Sequence, residues 1–184
     1  QVSRSNAEFV KKLFELEVPE IASGDVIIKD IARDPGNRTK ISVYSNKPNV
    51  DALGACVGNR GVRINQIVSE INGEKIDLVL YSDDPLEYIA RALSPAKVLS
   101  VETNESLKVS RVIVSKDKLS LAIGKNGQNV RLAARLTGWK IDVKPENEVM
   151  EENLDTDYEL TDLSEEENSK DLDDIFAGLE DLGE

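Results

Sequence analysis

The stretch LAIGKNGQNVRLAARLTGWKID, residues 121–142, decides the fold. Gly124 and Gly127 bracket Lys125 and Asn126, after which Val130, Leu132, Ala133 and Leu136 mark the apolar face of a helix that Gly138 ends. WKIDVK then reads as a strand. A matching phrase, ACVGNRGVRINQIVSEINGEKID, stands at residues 55–77. There Gly58 and Gly61 bracket Asn59 and Arg60. Val62, Ile64, Ile67, Val68 and Ile71 form one helix face, Asn72-Gly73 breaks it, and KIDLVLY is the strand. Recurrence in one frame implies two copies of one small domain.

The segments before each phrase repeat as well. Ser5 or Asn6 caps a helix that runs through Glu17 and that Pro19 ends. DVIIKDIARD and RTKISVYS read as strands joined by the turn Asp34-Pro35-Gly36-Asn37, and a short helix from Val50 to Val57 leads into the first glycine pair. In the second copy Asp83 or Asp84 caps a helix over PLEYIARAL, with Pro85 at its first position and Pro95 as its stop. AKVLSVE and KVSRVIVS follow as strands, and DKLSLAI as a helix entering Gly124. The expected organisation is α+β, with two αββααβ domains at 1–82 and 83–145 and no linker between them.

The net charge of −12 averages two unlike regions. From Glu146 onward 17 acidic residues face one basic residue, Lys170; the first 145 residues hold 18 acidic and 22 basic ones. A body of about +4 therefore precedes a tail of −16, residues 146–184, whose composition predicts disorder. Leu172, Ile175, Phe176, Leu179 and Leu182 fall at helical spacing and allow a short amphipathic helix at 171–182. Solubilisation, partner docking and competition with whatever polyanion the basic body binds are all open roles for this tail. No apolar run is long enough to span a bilayer, so no membrane partner is expected. The single cysteine, Cys56, reads as a core residue in a reducing, cytoplasmic compartment. The first residue is not methionine and the start already reads helical, which suggests a piece of a longer chain.

The loop itself carries the chemistry. A four-residue turn between helices needs glycine's backbone freedom, and a missing Cβ lets another backbone approach. The following helix aims N–H groups and its positive dipole end at the opening. A phosphodiester suits that site. Asn59, Arg60, Lys125 and Asn126 add a cation and an amide to each loop, and Arg63, Arg131 and Arg135 could extend the positive surface. Alone, Gly-x-x-Gly is a weak signal. Without histidine, paired cysteines or a Walker-type loop, the chain lacks the usual constellations for catalysis, metal binding or nucleotide hydrolysis. It reads as a binding protein without cofactor, not an enzyme.

VGNRGVRI and IGKNGQNV resemble the GxxG signature of KH domains, which clamp about four nucleotides of single-stranded nucleic acid. The element order resembles the type II arrangement. The abutting copies, together with SRSNAEFVKKLFELEVPEI, DPGNRTKISVYS and IGKNGQNVRLAARLTGWKID, resemble the tandem KH region of the NusA family of bacterial transcription factors. That resemblance implies RNA binding by Gly58, Asn59, Arg60 and Gly61 in the first copy and by Gly124, Lys125, Asn126 and Gly127 in the second. Arg63, Arg131 and Arg135 join the expected RNA-binding set by their charge beside these loops. It further implies action on nascent RNA in termination and antitermination, with the RNA polymerase elongation complex and other elongation factors as partners. In that family a polymerase-binding domain and an OB-fold normally precede the KH pair. A monomer is expected. The competing reading is a protein-docking scaffold whose RNA contacts are secondary. Only eight aromatic residues exist, two of them in the tail, so stacking on an aromatic platform is not the expected mode. Trp139 is expected in the second core, and Tyr44 and Tyr81 at a core or its rim.

Overall fold

The computed structural model describes residues 3–148. The expected tail, beyond its first three residues, and its helix at 171–182 lie outside them. Both copies of the repeat fall within one compact unit, residues 1–144.

In the first copy Asn6 caps α1 (Ala7–Glu17), its Oδ1 accepting the Glu8 N–H at 3.0 Å, and Val10 and Phe14 face inward. Pro19 ends that helix and also starts another, α2 (Pro19–Ala22), which the sequence did not lead us to expect. A proline is suited to the first position of a helix, where its absent N–H would have been unpaired anyway. Strands β1 (Val26–Asp34) and β2 (Arg38–Ser45) pair antiparallel, with a bulge between Ile28 and Asp30. After them come α3 (Ala52–Val57), α4 (Val62–Glu70) and β3 (Lys75–Leu80), the last parallel to β2. Helix α3 begins two residues later than Val50, with Asp51 as its cap.

The second copy repeats the order. Asp84 caps α5 (Pro85–Ala92), accepting the Leu86 N–H at 3.0 Å. Then β4 (Val98–Asn104) pairs antiparallel with β5 (Val109–Val114), a 3₁₀ turn at Lys116–Lys118 precedes α6 (Leu119–Ile123), and α7 (Gln128–Thr137) leads to β6 (Lys140–Pro145). The two sheets have the orders β1-β2-β3 and β4-β5-β6. The fold class is α+β, as expected.

One core holds Val10, Phe14, Val26, Ile41, Val43, Cys56 and Ile67. Burial pushes the Cys56 thiol up to about 12, so it is an inert core group. Ile67 and Ile71 bear out the predicted face of α4, but Val62 is 62% exposed: at the helix's first position it clears the core. The other core contains Tyr88, Ile89, Leu93, Leu132 and Trp139 together with Ala32 and Val79 of the first sheet, so apolar packing runs from one copy into the other.

Polar groups seal that junction. Lys40 is fully buried; its Nζ donates to Asp77 at 2.9 Å and to the Ser94 carbonyl at 2.7 Å. Arg38 holds the same Asp77 with two bonds of 2.7 and 3.0 Å. The Tyr88 hydroxyl meets Ser42 Oγ at 2.8 Å, and burial pushes its pKa up to about 12. A second buried cluster fixes the hairpin of the first sheet. Glu74 accepts two bonds of 2.9 Å from Arg33, one from the Gly36 N–H at 3.0 Å and one from Thr39. Burial pushes the Glu74 carboxyl up, but these donors outweigh it and leave its pKa lowered.

Candidate nucleic-acid interface

The two glycine loops have one backbone conformation. Gly58 lies at φ 74°, ψ 172° and Gly124 at φ 77°, ψ 169°. Arg60 (φ 52°, ψ 28°) matches Asn126 (φ 55°, ψ 27°), and Gly61 (φ 78°, ψ 13°) matches Gly127 (φ 73°, ψ 15°). Different dipeptides, Asn-Arg and Lys-Asn, thus give the same turn to within a few degrees. Three residues of each loop sit in left-handed regions, which explains two glycines; Asn126 tolerates that region better than Arg60 does.

In each loop the first glycine also makes room. A Cβ on Gly58 would lie 2.7 Å from Arg63 Cγ, and one on Gly124 would lie 2.8 Å from both N and Cβ of Asn129. Asn129 is fixed in turn by donating to the Leu93 and Ala122 carbonyls at 3.0 and 2.9 Å.

The hydrogen bonding departs from expectation in one respect. The N–H groups of Gly61 and Val62 turn back to the Gly58 and Asn59 carbonyls, and those of Gly127 and Gln128 turn back to Gly124 and Lys125. These donors close the turn instead of pointing at the opening. The exposed side chains of Asn59, Arg60, Lys125 and Asn126 are therefore the outward chemistry of the loops. Exposed apolar groups flank them, Val57 and Val62 beside the first and Leu121 before the second.

The remaining cations differ in availability. Arg63 is engaged: its Nη1 donates to Glu20 at 2.9 Å and to the Ala55 carbonyl at 2.7 Å, beneath Gly58. It ties α3 to α2 and supports the loop. Arg131 and Arg135 are exposed on α7, and both cations help to lower the Asp34 pKa. A cleft of about 470 Å³ brings Lys125, Asn126 and Arg131 together with Asp34, Asn37, Arg38 and Lys75 of the first copy and Gln128 of the second. The first glycine loop is not among its walls. Sequence reasoning missed Arg38, Lys75, Asn37 and Gln128, because nothing local signals that a turn in one copy faces a loop in the other. Trp139 lies in the second core, as expected, with Lys108 Nζ 4.5 Å above its ring.

Residues 4–81 match the family of NusA-like first KH domains, and residues 85–151 match that of NusA-like second KH domains. The chain belongs to the NusA-like tandem KH family. It is 57% identical over 153 residues to the transcription termination/antitermination protein NusA of Halalkalibacterium halodurans, covering 83% of this chain and 40% of that protein. Similarity to the NusA of Thermus thermophilus is 53% over 140 residues, 76% of this chain and 36% of that one. The chain thus spans about 40% of the length of the curated relatives that it matches first. A crystal structure of APE1850 superposes with a TM-score of 0.54 over 78% of this chain and all of that one, at 23% identity, and supports the fold alone. Among the described residues no helix is long and apolar enough to cross a membrane, and no cluster of acidic, histidine or cysteine side chains is arranged to hold a metal ion.

Proposed function

We propose that this tandem KH unit binds single-stranded RNA through both glycine loops, as the RNA-holding part of a cytoplasmic transcription termination and antitermination factor. Domains at 1–82 and 83–145, with the nascent transcript as ligand and the polymerase elongation complex as the wider partner, belong to that reading. The observation that carries it is the duplicated loop: one backbone conformation, two exposed polar dipeptides and apolar neighbours on each. A phosphodiester held at each loop would leave the bases to the apolar side chains beside it. Arg63 supports the first loop, whereas Arg131 and Arg135 extend the charge of the second. The task is binding and orientation, with no bond made or broken.

Charge reversal tests it. Asn59→Asp with Arg60→Asp reverses the first loop, and Lys125→Asp with Asn126→Asp the second; aspartate tolerates the left-handed region at residues 60 and 126, so the turns survive. Fluorescence anisotropy with a mixed single-stranded RNA over a salt series should show weaker binding and a shallower salt slope for each pair, and no binding with all four changes. Unchanged affinity in the fourfold variant, folded by circular dichroism, would refute the clamp and point to a protein partner.

A further inference from the structure

We infer that Asp34, on the hairpin turn of the first domain, is a base-reading residue for RNA held by the second loop: it favours a base with an exocyclic amine and disfavours uracil in the junction cleft. The inference rests on the RNA-binding reading above. The cleft's volume of about 470 Å³ lies in the range of roughly 300–1,000 Å³ typical of small-ligand sites. Lys75, Lys125 and Arg131 are exposed on its walls and suit a phosphodiester, while Arg38 is committed to Asp77. Among the residues lining this cleft Asp34 is the one acid, in a place where a carboxylate repels every phosphate.

The orientation of Asp34 is set from both domains. Gln128 Nε2, at the start of α7, donates to its Oδ2 at 2.9 Å, and Asn37 Nδ2 donates to the same oxygen at 3.3 Å. The Gln128 bond, with help from Asn37, Arg131 and Arg135, outweighs the opposing effect of burial and holds the carboxyl below its ordinary pKa, so it is an obligate acceptor. Oδ1 carries no hydrogen bond among the described residues. It is a fixed acceptor beside the loop that grips the backbone.

Such an acceptor discriminates by chemistry. Cytosine N4 and adenine N6 offer amine hydrogens, whereas the corresponding position of uracil is the O4 acceptor; the one donor of uracil on that edge, N3–H, lies between O2 and O4, two acceptors that repel a carboxylate. A bland alternative is that Asp34 serves the turn alone, since its carbonyl accepts the Asn37 N–H at 3.0 Å. That role predicts a stability effect and no change in base preference.

The experiment compares anisotropy binding of oligocytidylate and oligouridylate of equal length to the whole chain, to Asp34→Asn and to Gln128→Met. These polymers differ at N4 against O4 and at the protonation of N3, and oligocytidylate also stacks more strongly than oligouridylate, so the change in their affinity ratio between wild type and variants is what reads the contact to Asp34. Wild type should prefer cytidylate roughly tenfold, the range of one charge-assisted hydrogen bond. Asp34→Asn keeps a turn-forming side chain but offers both donor and acceptor; it should tighten binding of both polymers and bring the ratio close to one. Gln128→Met frees Asp34 without touching the turn and should lower the ratio too, which keeps the test open if one variant fails to fold. Equal binding of both polymers by wild type, or a ratio unchanged in the variants, overturns the inference and leaves the clamp standing. Binding of neither polymer overturns the RNA reading, and this inference with it.

Discussion

Substituting the first and last glycines of the second loop separates two reasons for having glycine there. Gly124 lies at φ 77°, ψ 169°, a region essentially reserved for glycine, so alanine costs about 1–3 kcal/mol in backbone strain. Its Cβ would also lie 2.8 Å from the backbone nitrogen of Asn129, which a side-chain rotation cannot relieve. Asn129 is 1% exposed, and moving it endangers two hydrogen bonds worth roughly 1 kcal/mol each. Gly124→Ala should therefore cost about 3–5 kcal/mol. Gly127 lies at φ 73°, ψ 15°, in the left-handed helical region, and a Cβ there would have no neighbour within 4 Å, so Gly127→Ala should cost about 1–2 kcal/mol. The difference, about 2–3 kcal/mol, corresponds to roughly 4–12 °C in Tm for a unit of this size. Thermal and urea unfolding of the two variants measure it. Equal melting temperatures, or a larger loss for Gly127→Ala, would show that close packing against Asn129 is not what the first glycine provides.

Two variants, Glu74→Gln and Lys40→Met, probe the buried charges. Glu74→Gln leaves Arg33, whose side chain is 6% exposed, without its anion and should cost about 3 kcal/mol at neutral pH by urea unfolding. The Glu74 and Asp77 carboxyls are held below their ordinary values of 4.5 and 3.8, so the unfolded chain takes up protons first as the pH falls. Their stabilisation is complete above those values and is lost below them as the folded groups protonate; Glu74→Gln should flatten that acid limb, and an unchanged limb would assign it to other groups. Lys40→Met removes the bonds to Asp77 and Ser94 but leaves Asp77 its two bonds from Arg38, so the expected loss is about 2 kcal/mol. A variant at least as stable as wild type would mean that desolvation of the ammonium, which lowers its pKa, outweighs both bonds.

The elements themselves were legible where local chemistry decides them. Asn6 and Asp84 accept the N–H groups that helix caps must accept, and the turn at residues 34–37 closes with the Asn37 N–H on the Asp34 carbonyl. The glycine pairs and their spacing identified both loops, because the required φ values restrict the residue type. Three things were not legible. The direction of the loop N–H groups depends on a one-turn 3₁₀ geometry that Gly-x-x-Gly spacing does not specify. The junction was hidden by β2, RTKISVYS, whose alternation places Ile41 and Val43 on one face and Lys40 and Ser42 on the other. A lysine and a serine at period two read as a solvated face, yet both are buried by the second domain. Arg63 likewise reads as a free cation beside a loop, and only the fold brings Glu20, 43 residues away, to its guanidinium.

The junction bears on function because it fixes the relation between the loops. A flexible tether would let each clamp bind independently, with an effective concentration that falls as the tether lengthens. Here no tether exists: Ala32 and Val79 of the first sheet are part of the second core, and Lys40, Ser42 and Asp34 are hydrogen-bonded to Ser94, Tyr88 and Gln128 across the boundary. A strand that satisfied both loops, as proposed, would therefore meet a set spacing, and the entropy of arranging the two sites would be met during folding instead of during binding. Three of these contacts are polar and directional, so they select one packing where an apolar face alone would tolerate several. One of them, Gln128 on Asp34, is also the contact that lines the cleft between the hairpin and the second loop. One of the bonds that set the domains in register thus also aims the only carboxylate that a strand leaving the second loop would meet among that cleft's walls.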